Sequence, residues 1–263
     1  MSIDRSRRII FEAVADLYNE TRTRYCDALF EDIIRLAALP ADGRILEIGC
    51  GPGNATVSFA RRGYRLLAIE LGERLAAFAA QNCRAYPNVT IVRAEFESCD
   101  LPPHGFDLAV SADAFHWIRP EVGYAKVMTA LKECGSFAFF WQISVDPQTD
   151  WSHAIDEVFR RRAPQVERPN EPMDAARVRT VIEGNFRAYC GIEEVTVETY
   201  DWVETLGADR YVKLLRTRSG LHGMDEGLRL ALNREIAAVI QAAGGSIEQP
   251  YRAILFHARK PGA

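Results

Sequence analysis

Chemistry in this chain concentrates first on three glycines and one acid. Gly49, Gly51 and Gly53 lie in ILEIGCGPGNAT, Ile45 to Thr56, directly behind an apolar run, and Glu70 closes the next such run, YRLLAIE. Glycine takes positive φ readily and has no side chain, so a ligand can rest against the main chain there. A helix opening just behind offers unpaired N–H groups, with Asn54 as its expected cap. A carboxylate at the end of the following strand is placed to accept both hydroxyls of a ribose. Together these residues predict a nucleoside cofactor. Their spacing is GxGxG, with Asn54 where a dinucleotide fingerprint has its last glycine, which counts against NAD and FAD; no GxxxxGK[ST] phosphate loop occurs either. Farther along, His116 in AFHWI is the leading candidate for a general base. The plainer reading is a histidine bonded locally in a pocket wall.

The elements that must position these residues are legible as alternating patterns. Apolar runs RILEI, YRLLAIE, NVTIVRAE, FDLAVSA and SFAFFW alternate with helical stretches at Asn54 to Arg62, GERLAAFAAQNCRAY and Pro120 to Lys132. Parallel strands need crossovers, so an α/β fold with a doubly wound sheet is the economical solution. Ahead of it, CDALFEDIIRLAAL puts Leu29, Phe30, Ile33, Ile34 and Ala37 on one helical face. After Trp141 the texture changes to prolines and charges, then helices resume. The expected organisation is an N-terminal helical cap over 1–40, a cofactor-binding Rossmann-like core over 41–142, a helical insertion capping the substrate over 143–191, and a C-terminal completion of the sheet over 192–263. Gly244 and Gly245 break the last helix, so the final run, PYRAILFHARK, turns back against the sheet.

Composition narrows the function. With 48% hydrophobic and 26% charged residues and a formal charge of -4, the chain reads as a globular protein with no broad attraction to nucleic acid or an anionic membrane. RRR at Arg160 to Arg162 reads as a solvated helix end. No run approaches the roughly 20 apolar residues that cross a bilayer, and the start lacks a signal-peptide core, so the expected location is cytoplasmic. Six cysteines without a CxxC pair argue for structural thiols and against a metal site. Cys50, inside the glycine loop, is read as small-residue packing.

These residues resemble the class I S-adenosylmethionine-dependent methyltransferases, whose first motif reads much like LEIGCGPG, and in particular their small-molecule group, methyltransferase type 11/25-like and trans-aconitate methyltransferase-like. The likeness runs from Tyr18 to the last strand. NVTIVRAEFESCDLP is similar to the family's NVxFxxGDAExLP, with Ala94 for glycine and Glu95 for aspartate, and FDLAVSADAFHWI to a fourth-strand motif that ends in FHW. Tyr18, Arg22 and Tyr25 in LYNETRTRY match a YDxxRPxY pattern, with Thr23 in place of the proline and Arg24 of the glycine, and YVKLLRTRSGLHGM resembles the group's C-terminal portion. The resemblance implies a seven-stranded, mostly parallel sheet with the last strand antiparallel, and S-adenosyl-L-methionine as cofactor. It implies that Gly49, Gly51 and Gly53 line the methionine and ribose, that Glu47 orients the loop, and that Glu70 holds the ribose with Leu71 and Ser111 close by. Glu95 meets the adenine amine and Phe96 the ring, while Tyr18 and Arg22 cover the cofactor, Arg22 at the methionine carboxylate or else in a solvated helix. On the acceptor side stand Tyr25, His116, Trp117, Trp141 and Arg216, with Ser219 near the last; core packing and an exposed helix end are the alternatives for Trp117 and Arg216.

The expected activity is methyl transfer to a small-molecule acceptor, O-methylation of a carboxylate or hydroxyl preferred. Trp151 and Phe159, with Trp141, hint at an apolar or aromatic acceptor, or are plain packing. Alternatives are a non-catalytic S-adenosylmethionine-binding module, an NAD(P)-dependent Rossmann oxidoreductase and an aminopropyl transferase. Nucleic acid is disfavoured as a partner because SADAF stands where a DNA-modifying member carries [DNS]PP[YF]. No metal or membrane is expected, and the chain is expected to be a monomer or homodimer.

Overall fold

The computed structural model describes residues 10–21, 25–169, 174–221 and 223–262. Short helices α1 (Ile10–Ala13) and α2 (Ala15–Thr21) precede α3 (Asp27–Leu36), and the alternation then runs β1 (Arg44–Ile48), α4 (Asn54–Ala60), β2 (Arg65–Glu70), α5 (Glu73–Asn82), β3 (Val89–Arg93) and β4 (Phe106–Ala112). A 3₁₀ turn at Phe115–Trp117 leads to α6 (Pro120–Ala130) and β5 (Leu131–Ser144). The remainder is α7 (Asp150–Arg162), α8 (Ala175–Cys190), β6 (Thr196–Gly207), α9 (Ala208–Arg216), α10 (Glu226–Ala242) and β7 (Ser246–Arg259).

One seven-stranded sheet results, ordered β3-β2-β1-β4-β5-β7-β6. The first five strands are parallel, and β7 runs antiparallel to both β5 and β6. The reversal expected from the paired glycines is real: Gly244 and Gly245 have φ of 101° and 88°, conformations that a Cβ resists, and the chain turns through them into β7. The order reverses between β1 and β4, so the crevice beyond their carboxyl ends is where a ligand fits. Strand β5 is longer than the SFAFFW run alone, because Leu131 already pairs with Phe106 and ends α6 at Ala130 instead of Lys132.

Strand alternation sends side chains to two cores. Phe137 and Phe139 face α6 and α8 with Tyr124, Val127 and Phe186, whereas Ala138 and Phe140 face α3 and α4 with Leu29, Phe30, Ile33 and Phe59. Ala37 is buried on the same α3 face, while Ile34 is only half-buried. A third apolar cluster joins α7, α9 and α10 to the far ends of β6 and β7. Arg161 and Arg162 are not merely solvated: both reach Glu235 on α10, at 3.0 and 2.5 Å.

Phe139 ties the first core together, fully buried, with its ring 3.9 Å from Phe115 and 6.0 Å from Phe186. Phe139→Ala is expected to destabilise the protein by about 3–5 kcal/mol, read from urea unfolding. A loss below about 1 kcal/mol would show that the core collapses around the missing ring.

Candidate active site

The glycine loop is anchored from beneath: the N–H groups of Gly49 and Cys50 both donate to the Ile69 carbonyl, at 2.9 and 3.1 Å. Gly49, Gly51 and Gly53 have φ of 69°, 56° and 92°. A Cβ on Gly49 would stand 2.5 Å from the Ala114 Cβ, so bare main chain is a steric requirement there. The expected Asn54 cap does not form. Gly53 is the N-cap of α4, in the left-handed conformation that glycine adopts most easily, and Asn54 is the first helical residue.

Glu70 joins this loop to the next. Its Oε2 accepts from the Gly51 N–H and its Oε1 from the Gly72 N–H, both at 2.8 Å, and the residue is 8% exposed. Burial pushes its carboxyl above the ordinary range, against those amide bonds. Each oxygen keeps a further lone pair for a hydroxyl donor. A cleft partly open to solvent lies above it at the carboxyl ends of β1, β2 and β4. An adenosyl group fits this setting: the cradle is one that a Cβ would obstruct, the acid lies on the cleft wall, and Leu71, Phe96 and Glu95 line the same cleft.

Of the residues expected at the site, Tyr18, Gly49, Gly51, Glu70, Leu71, Glu95, Phe96 and Trp117 line this cleft together. Trp117 is thus wall rather than buried packing. Phe11 meets Tyr18 and Trp117 edge-on, at 5.8 and 5.9 Å, and roofs the cleft from α1.

Others stand behind the lining. Gly53 stands outside the cleft lining; a Cβ there would make ordinary contact with Ala79 and Cys83 of α5, and it is the φ of 92° at the cap of α4 that calls for glycine. Ser111 is buried and donates to the Ile48 carbonyl at 2.7 Å, bracing the end of β1. Glu47 is fully buried under the loop, where Thr56 approaches without closing a hydrogen bond. Burial raises its carboxyl from 4.5 to about 8, so it is neutral at physiological pH. Arg216 is half-buried at the last turn of α9, outside the cleft lining. Arg22 lies outside the described residues, and the Ser219 side chain does too. The Cys50 thiol is buried and pushed well above its usual range, which suits packing. Phe159 is buried and Trp151 half-buried in the cluster with α9 and α10, away from the cleft lining.

Asp113, passed over in the sequence, organises the far end of the cleft. Its φ is 54°, one carboxylate oxygen accepts the Gln142 N–H and the other the Tyr25 hydroxyl, both at 2.8 Å. An acid immediately after FDLAVSA was the available signal. Tyr25 in turn lies edge-on to Phe140, 5.0 Å away. Behind this wall the Trp141 indole N–H donates to the His116 Nδ1 at 2.8 Å. An indole N–H only donates, so Nδ1 holds the lone pair and the neutral ring carries its proton on Nε2. In that tautomer the lone pair that a general base would use accepts the indole N–H. Among the described residues no group of His, Cys, Asp or Glu is arranged to hold a metal ion.

Two outcomes follow from this geometry. Gly49→Ala is expected to cost about 1–3 kcal/mol of stability and to weaken S-adenosylhomocysteine binding by at least about tenfold, read by calorimetry. Glu47 keeps its proton up to about pH 8 in the folded chain but releases it near 4.5 when unfolded, so the folded state binds more protons between those values. Stability therefore falls as pH rises through that window and levels above it. Urea unfolding of Glu47→Gln at a series of pH values should show a shallower slope, with Glu70, shifted in the same direction, leaving a remainder; an unchanged slope would place the proton elsewhere.

Similarity to known proteins agrees with the geometry. A family model described as a methyltransferase domain matches residues 45–135. An uncharacterized methyltransferase of Geobacillus sp. strain WCH70 is 30% identical over 161 residues, covering 58% of this chain and 74% of its own. A ribosomal RNA small subunit methyltransferase A from Thermotoga maritima is 32% identical over 79 residues, 30% of this chain and 28% of its own. The solved structure of a type II methyltransferase candidate from Anaeromyxobacter dehalogenans shares the fold, with a TM-score of 0.65 at 23% identity over 92% of this chain and 99% of the other. With S-adenosylmethionine as its cofactor, the chain belongs to the class I S-adenosylmethionine-dependent methyltransferases.

Proposed function

We propose that the enzyme methylates an oxygen of a small molecule, a carboxylate in first place. The observation that carries this reading is the bond from Trp141 to His116. A phenol or alcohol needs its proton removed, whereas a carboxylate is already a nucleophile at neutral pH, and His116, next to the cleft-lining Trp117, has its lone pair engaged. Small size is supported by the roof of Phe11 and Tyr18 over a cleft walled at that end by Trp117, Ile118 and Asp113. The stretch shared with the ribosomal RNA enzyme is under a third of this chain, and the formal charge of -4 does not favour a polyanion.

In this reading the main chain at Gly49 and Gly51 lies under the methionine portion, Glu70 accepts from the ribose, and Leu71 and Phe96 flank the adenine with Glu95 at its amine. Bound there, the sulfonium supplies an activated methyl with a good leaving group. The protein's part is to hold the acceptor oxygen in line with it and to keep water out. Tyr25, fixed by Asp113, stands on the acceptor wall with Trp117, and His116 and Trp141 stiffen that wall from behind. Segment 143–191 is assigned to acceptor selection, since β5 leads from Trp141 directly into it. None of the six cysteines is disulfide-bonded, which suits a reducing compartment such as the cytoplasm.

The test is incubation with S-adenosylmethionine and a panel of small carboxylic acids, phenols and alcohols, following S-adenosylhomocysteine release and methyl ester formation by mass spectrometry. Carboxylates are expected to turn over with a kcat that stays flat between about pH 6 and 8, and His116→Gln should cost less than the about 10²–10⁴-fold expected for removing a base. Turnover confined to ribosomal RNA, or a His116-dependent rise with pH, would overturn the proposal.

A further inference from the structure

Glu12 lies at the joint between α1 and the ribose end of the cleft. Its Oε1 accepts the Arg74 N–H at 2.6 Å, in the first turn of α5, directly after the loop that carries Glu70. Its Oε2 is buried with no hydrogen-bond partner among the described residues. The Arg74 guanidinium does not neutralise it, because that group turns to the Glu12 carbonyl and to Asp16. A Cβ built on Gly72 would stand 2.4 Å from Glu12 Oε2 and 3.3 Å from Glu70 Oε1. The two carboxylates therefore converge beside the Gly72 α-carbon, and a side chain at that position would strike Glu12. Burying a carboxylate oxygen without a donor, next to a second acid, is costly unless a hydrogen-bond donor enters between them.

We propose that Glu12 is a second ribose-reading carboxylate: its Oε2 accepts a hydrogen from one hydroxyl of the cofactor's ribose while Glu70 holds the other. The inference rests on the ribose role of Glu70. It gives α1 a purpose beyond cover. Phe11, the preceding residue, places its ring against Tyr18 and Trp117, so the same hydroxyl contact that satisfies Glu12 also fastens the roof of the cleft. Recognition of the sugar and enclosure of the methyl group become one event.

The experiment is calorimetric titration of the full chain with S-adenosylhomocysteine and with its 2′-deoxy and 3′-deoxy analogues, using the wild type, Glu12→Ala and Gly72→Ala. Wild type is expected to prefer the parent ligand over each analogue by about tenfold or more, as for hydrogen bonds to a charged group. In Glu12→Ala the preference for one hydroxyl should shrink to within about threefold while the other, held by Glu70, persists. Comparing ligands within one variant cancels the lost bond to Arg74, which weakens all three equally. Gly72→Ala keeps the Glu12 side chain but puts a Cβ 2.4 Å from its Oε2 and 3.3 Å from Glu70 Oε1, so the preference read by Glu12 should shrink the more, and it decides the matter if Glu12→Ala fails to fold. Both preferences surviving intact in the two variants would overturn the inference and leave the cofactor reading untouched. Absence of binding by the wild type would overturn both.

Discussion

The Glu70 carboxylate is the joint on which the site turns. Two loops leave the sheet at adjacent strand ends, after β1 and after β2, and each ends in backbone N–H groups that nothing within its own loop satisfies. One side chain takes a hydrogen from each, Gly51 on one side and Gly72 on the other. Loop spacing is thereby fixed before any ligand arrives, which is what a preorganised site requires. The bonds are short and buried, so they are charge-assisted in a low-dielectric setting where they are strong. The carbonyl of Ile69, one residue earlier, holds Gly49 and Cys50 from below. A single strand end thus anchors the whole phosphate-free cradle.

A second constraint governs the other end of the cleft. Asp113 occupies the first position after β4, in a left-handed conformation that aspartate tolerates better than most residues. From there it fastens β5 through Gln142 and the segment ahead of α3 through Tyr25. Aromatic packing continues the wall, since Tyr25 rests on Phe140 and Trp141 on Phe256, with Trp141 also holding His116. The far end is therefore rigid and largely apolar, with its polar groups already paired. Such a wall can hold a molecule by shape and exclude water.

Beneath both ends lies an unusual concentration of acid. Glu47 is buried and neutral beside Glu70, and Glu12 meets Glu70 beside the Gly72 α-carbon. A neutral Glu47 spares the loop a second full negative charge, while Glu70 lies on the cleft wall. Burial decides which carboxyls keep their protons, and position in the fold decides burial.

Much of this was legible in the chain itself. Strand periods, the glycine spacing, Glu70 at the end of YRLLAIE and the break at Gly244 and Gly245 led to the sheet, its reversed last strand and the cofactor, because each is a local consequence of φ freedom or of apolar alternation. Glu95, Phe96 and Trp117, each singled out in the sequence, line the same cleft as Gly49 and Gly51. What local pattern could not supply was pairing between distant segments. The Trp141 to His116 bond, which fixes the tautomer, joins residues on separate elements, as do Asp113 to Tyr25 and Glu12 to Arg74. Gly53 and Asn54 exchanged their anticipated roles because the chain enters α4 through a positive φ, which glycine at the cap adopts without strain. Sequence alone determined the kind of ligand, through backbone freedom and one acid; tertiary packing decided which groups keep a lone pair, a proton or an open face, because those depend on neighbours that only folding brings within reach.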